Sequence, residues 1–143
     1  MKWFGVRQDQ DFSRDDKVAN RAIEYLNKPG EKNEKWAAVT ILLNLISKRK
    51  LSNSVLKQIV DLRWSDLNMR IATKADLEIL EYLTNSSKKD QILFANILYN
   101  KNCNSSVAFK IKESCDKSER GLQNSKYIDR KFGKESTENG ELD

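Results

Sequence analysis

The sequence predicts an all-α fold, an antiparallel array of five or six helices followed by a polar tail. Three observations carry this. Apolar residues recur in clusters at three- and four-residue spacing, the period that lays one stripe along a helix. Short turns rich in Ser, Asn and Asp divide the clusters. One proline and five glycines among 143 residues leave long stretches without a helix breaker. No segment alternates apolar and polar residues for long, so strands are not expected.

The elements follow in order. Ser13 offers an N-cap, with Asp16 three residues on in a capping-box-like spacing. Val18, Ala19, Ala22, Ile23, Tyr25 and Leu26 follow at helical spacing, and Pro29-Gly30 stops this first helix. Asn33 is the next cap candidate. Trp36 to Ile46 is apolar on most of its circumference, which predicts a central, buried helix. Ser47-Lys48-Arg49-Lys50 closes it with cations, as the unpaired carbonyls of a helix C-terminus favour. Ser52-Asn53-Ser54 caps a third helix carrying Val55, Leu56, Ile59, Val60 and Leu62. Arg63 to Asp66 reads as a break, with Ser65 capping a short turn of helix through Met69 and Ile71. Thr73 with Asp76, then Ser87 with Asp90, repeat the cap-plus-acid spacing ahead of Leu77–Leu83 and Ile92–Tyr99. Asn104-Ser105-Ser106 caps a last helix with Val107, Ala108, Phe109 and Ile111.

After Cys115 the apolar density falls. Residues 1–116 therefore read as one domain and 117–143 as a loose tail, basic and then acidic, with disorder expected from Gly133 onward. The expected core is Ala22, Ile23, Leu26, Trp36, Val39, Leu42, Leu43, Ile46, Leu56, Ile59, Val60, Leu77, Leu80, Leu83, Leu93, Phe94, Ile97, Leu98 and Phe109.

Two segments echo each other. Ile41-Leu42-Leu43-Asn44-Leu45-Ile46 resembles Ile79-Leu80-Glu81-Tyr82-Leu83-Thr84, and Val55 to Leu62 resembles Ile92 to Tyr99. The offsets are nearly equal, as a helical hairpin used twice requires. Over residues 34–100 the pattern resembles the HEAT-like class of α-helical repeats. That resemblance implies a short hairpin stack, an architecture that serves binding more than catalysis. The echo rests on generic Leu/Ile spacing and includes no signature residue.

Composition narrows the function. Formal net charge is +5, and residues 44–74 set seven cations against Asp61 and Asp66 alone. A basic face attracts an acidic partner or nucleic acid. Cys103 and Cys115 form no C-x-x-C pattern, so neither a zinc site nor a disulfide framework is expected. Met1 to Val6 runs at once into Arg7, Gln8 and Asp9, which predicts no secretory leader. The apolar cluster at 36–46 is too short to span a bilayer. A reduced, cytoplasmic protein with no membrane association is the expectation.

The candidate site is a partner-binding surface made of Lys48, Arg49, Lys50, Lys57, Arg63, Trp64 and Arg70. The competing reading of Trp64 is a core plug. Helix 34–49, turn 50–54 and helix 55–63 have a helix-turn-helix outline, but positions 55, 56, 59 and 60 are apolar where a recognition helix needs polar residues. The chain has no histidine, the commonest general base near neutral pH. Asp15-Asp16, Asp76 with Glu78, and Glu78 with Glu81 fall at helix starts or on solvent faces, where the macrodipole explains them. No catalytic residue, metal or cofactor is therefore expected. Trp3-Phe4 and Tyr127 to Phe132 are aromatic-bearing ends that read as docking segments or as helix caps. The expected function is non-catalytic binding of a macromolecule. It is read as an inhibitor or regulator that covers a protein partner with an acidic patch, and alternatively as a nucleic-acid binder on residues 48–74.

Overall fold

The computed structural model describes residues 12–30, 32–48, 50–87 and 89–133. Among them are eight α-helices and no strand: α1 Ser13–Asn27, α2 Lys32–Ser47, α3 Asn53–Asp61, α4 Ser65–Lys74, α5 Leu77–Ser86, α6 Gln91–Tyr99, α7 Ser105–Glu113 and α8 Glu119–Ile128, the last running into a π-turn at Asp129–Gly133. The all-α expectation matches, but the expected count of five or six is too low. The short turn expected after Ser65 is a full helix, α4, because Leu67, Ile71 and Ala72 are all 0% exposed and give it a buried stripe.

The tail is the second correction. Residues 119–133 form α8 and the π-turn, which pack on α6 and α7. Ile128 (0% exposed), Phe132 (7%) and Asn124 (4%) anchor them. The stripe escaped the sequence reading because Gly121 and Asn124 occupy two of its buried positions. Gly121 is required there. The 114–118 turn folds so closely over the first turn of α8 that a methyl at 121 would overlap the carbonyl, carboxylate and backbone nitrogen of Asp116. The residues from 134 on, for which disorder was expected, lie outside the described residues, as does Trp3-Phe4.

Every helix packs on its chain neighbour but one. α1, α3, α5 and α7 form one layer, and α2, α4, α6 and α8 the other. Within a layer the helices run parallel. The α1–α2, α3–α4, α5–α6 and α7–α8 turns gather at one end, here the hairpin end. The α2–α3, α4–α5 and α6–α7 connections gather at the opposite, crossover end. The α3–α4 and α5–α6 turns both pass through a left-handed residue, Arg63 (φ 63°) and Lys89 (φ 59°).

This register differs from the sequence echo. The echo matches α2 to α5 and α3 to α6, which stand in opposite layers. Equivalent helices open at Asn53, Leu77 and Ser105 in one layer and at Ser65, Gln91 and Glu119 in the other. The structural spacing is thus shorter than the echo's. α2 and α3 also belong to different layers and pack on other helices, which removes the helix-turn-helix outline.

The core lies between the layers. Leu42, Ile59, Leu67, Ile71, Ile79, Leu80, Leu83, Phe94, Ile97, Leu98, Ile111 and Ile128 are its fully buried large side chains. Of the expected core, Trp36 is 41% exposed, and Leu43, Leu56, Leu77 and Phe109 sit half-buried on its margin. Polar staples tie consecutive hairpins. Asn100 Nδ2 donates to Ala72 O and Ala75 O at 2.8 and 3.0 Å at the crossover end. At the hairpin end Gln91 Nε2 donates to Ser114 O at 2.9 Å, and Asn124 Nδ2 to Gln91 O at 2.8 Å.

Candidate functional site

The basic stretch of the sequence is spread over the fold. Lys48 and Lys50 are exposed at the crossover end, where their backbone N–H groups close the last turn of α2 on Asn44 O and Leu45 O. Arg49 lies outside the described residues. Lys57 stands on the outer face of the odd layer, where its Nζ meets Glu78 at 2.9 Å and lies 5.5 Å from the Tyr82 ring centroid. Arg63 is at the opposite, hairpin end, in the turn before α4. Trp64 and Arg70 belong to the even layer. α3 is only about 14 Å long at 1.5 Å per residue, yet that separates Lys50 from Arg63 by the thickness of the stack. The six described candidates therefore do not form one surface. Trp64 and Arg70 share a face, and Lys48 and Lys50 share an end.

On the outer face of the odd layer, α3 and α5 pair polar and charged groups with each other. Glu78 accepts from Lys57 and from Asn53 Nδ2 at 3.0 Å. The Tyr82 hydroxyl donates to Asp61 at 2.9 Å. Hydrogen bonding to Lys57, then to Asn53, holds the Glu78 carboxyl below its ordinary pKa, and Glu78 in turn raises Lys57. Asp61, as the acceptor, raises the Tyr82 phenol. These groups stabilise α3 against α5 and leave Lys57 with its charge already matched.

The outer face of the even layer differs. A groove of about 310 Å³ lies between α2, α4 and α6, lined by Leu43, Asp66, Met69, Arg70, Thr73 and Asn96. Arg70 Nη1 donates to Ser47 Oγ, which fixes the guanidinium at the groove's edge. Asn96 Nδ2 reaches Met69 Sδ at 3.2 Å. Towards the hairpin end the groove meets Trp36 and Trp64, whose rings stand edge to face with centroids 5.9 Å apart. Trp64 is half-buried against the core, so it is partly the plug its size implies. On the other side is α6, which has no charged residue from Gln91 to Asn100. Ile92 (55% exposed) and Tyr99 (65%) stand at its outer edge.

Cations do gather at the crossover end, on the even-layer side. All four even helices point their C-termini there. Lys48 and Lys50 follow α2, Lys74 ends α4, Lys101 follows α6, and Arg130 and Lys131 follow α8. The sequence reading missed this row because its members are separated by up to about 80 residues and only the topology aligns them. The signal available was a cation at the end of every second helix. Beside them Tyr99 and Tyr127 stand edge to face at 4.7 Å, and Tyr127 meets Phe132 at 6.5 Å.

A more polar cleft of about 470 Å³ lies at the hairpin end, among Asp61, Arg63, Ser65, Asn68, Asn85 and Asp90. Asp90 is engaged as the α6 cap, accepting from Leu93 N at 3.0 Å. Burial pushes the Cys103 thiol up to about 11, against the pull of Lys131, and raises Cys115 as well. Among the described residues, both cysteines are free thiols, and no cluster of three acids, cysteines or histidines is gathered as a metal site. No helix among them is long and apolar enough to cross a membrane. No protein-family model matches this sequence, and no curated protein or solved structure is significantly similar to it.

Proposed function

We propose that the chain is a non-catalytic binding protein that covers a protein partner, an inhibitor or regulator of the immunity or host-takeover type. We read it as a short HEAT-like stack of hairpins working in the cytoplasm, in keeping with two unpaired thiols. One observation supports the binding role above the others. The even layer presents a groove where Leu43 and Met69 lie between polar and charged groups (Thr73, Asn96, Asp66, Arg70), with Trp36 and Ile92 exposed on the same face, whereas Lys57 on the odd layer is already paired with Glu78. Exposed apolar area bordered by polar groups marks interaction surfaces, and Trp, Met and Arg are the residues enriched at interface centres.

The lining of the groove favours a helical partner. An amphipathic helix would lay its apolar residues between α4 and α6 and over Leu43, and an acidic residue on it would meet Arg70. The acidic patch expected of the partner thus falls at one edge of the groove. The test is capture from native lysate after nuclease treatment, using the parent chain and the Met69→Glu and Ile92→Glu variants. The parent should retain a polypeptide that both variants lose at unchanged melting temperature. Loss of the captured material on nuclease treatment, or its retention by both variants, refutes this reading. Arg70→Glu should slow association by about tenfold at low salt.

A further inference from the structure

We infer a second site, separate from the groove: the crossover end of α6 and α8 binds single-stranded nucleic acid. Lys74, Lys101, Arg130 and Lys131 are brought to one edge by the parallel run of the even helices. With adjacent helices about 8–10 Å apart, the cation row from α2 to α8 is about 25–30 Å long. The ordinary role of such cations is to complement helix C-termini. Lys101, Arg130 and Lys131 lie beyond their helices' last α-helical residues, and the latter two approach the Tyr127 ring, with centroid distances of 5.8 and 5.7 Å. Three acids at this end have partners. Asp16 accepts from Ser52 N at 3.0 Å, Asp76 caps α5 through Ile79 N at 3.3 Å, and Asp129 is paired with Lys112. Within the row itself, among the described residues, the one acid, Asp129, is matched by Lys112, so the charges of Lys101, Arg130 and Lys131 are left over.

The aromatic residues decide the class of ligand. Tyr99 is 65% exposed, and its contact with Tyr127 is edge to face, which leaves ring surface open among the cations. Basic grooves with exposed aromatic rings bind single strands, cations tracking phosphates while bases stack. A duplex keeps its bases stacked inside and could use only the cations. An acidic polypeptide would likewise leave Tyr99 without a role.

The test is fluorescence anisotropy of a labelled 15-nucleotide oligothymidylate, with a 15-base-pair duplex and polyglutamate as competitors. Four phosphate contacts predict a log–log salt slope of about −2.8. Tyr99→Ala should weaken binding by about 5- to 150-fold, the range for loss of one stacked base, while Tyr99→Phe stays within about twofold. The Lys101→Glu/Arg130→Glu double variant should abolish binding, and Lys17→Glu on the far layer should not. All these positions are exposed, and unchanged melting curves verify that the variants fold. Three results each overturn the inference: no binding at 50 mM salt, an unchanged affinity in Tyr99→Ala, or polyglutamate competing as well as the oligonucleotide at equal charge.

Discussion

Asn100 holds the second hairpin to the third, and its removal should be felt by the whole fold. The residue is 6% exposed. Its amide donates to Ala72 O at 2.8 Å and to Ala75 O at 3.0 Å, and its Oδ1 accepts from Asn102 N at 2.7 Å. Ala72 O sits in the last turn of α4, where carbonyls have no partner within the helix. Asn100→Ala would orphan that carbonyl at a cost of about 1–3 kcal/mol, and the bond to Asn102 N adds about 0.5–1.5 kcal/mol. Ala75 O suffers less, because Asn102 Nδ2 also reaches it at 3.1 Å. The total is about 2–4 kcal/mol, which for a chain of this size lowers the melting temperature by about 6–15 °C. Thermal unfolding by circular dichroism reads this directly. Asn100→Asp adds a second check. It keeps an acceptor for Asn102 but turns a carboxylate towards two carbonyls. It should therefore be at least as destabilised at pH 7 and should recover in part as pH falls and the acid becomes a donor. If Asn100→Ala melts within about 2 °C of the parent, the staple is not what joins the hairpins.

Leu42 and Leu80 are both 0% exposed, so alanine at either position should cost about 2–5 kcal/mol in urea unfolding. A parental midpoint would show that the helix phasing is wrong. Gly121→Ala drives a methyl into the backbone of Asp116 and should destabilise by about 1–3 kcal/mol despite alanine's better helix propensity; a gain in stability would contradict the close approach of the 114–118 turn. The Cys103 thiol, pushed up to about 11, should react with a disulfide reagent far more slowly than a free thiol at pH 8. Lys131→Ala should slow it further, and a fast reaction would refute the burial.

The helices were legible because their apolar stripes are local. Where they begin was less so. Ser87 and Thr73 look like caps with an acid three residues on, yet Asp90 and Asp76 are the caps themselves, accepting from Leu93 N and Ile79 N. Ser87 and Thr73 instead close the preceding helices. Cap-x-x-acid fits two registers, and only the onset of buried positions separates them. Ser52 and Asn104 carry no such ambiguity and cap where expected. The basic stretch failed as a surface for a different reason. Consecutive cations 48–70 traverse α3 and both ends of the stack, so nearness in sequence disperses them, while alternate helix ends collect Lys50, Lys74, Lys101 and Arg130. The layer assignment is a property of packing partners two helices apart, and the Leu/Ile spacing of a single helix does not encode it.

Each helix leans on neighbours one or two steps away along the chain, so contacts between helices stay within neighbouring hairpins. A chain wired this way can close its first hairpins while later residues are still being synthesised. It should also fray from its outer edges inward, so that amides of α4, α5 and α6 exchange with solvent last and those of α1 and α8 first.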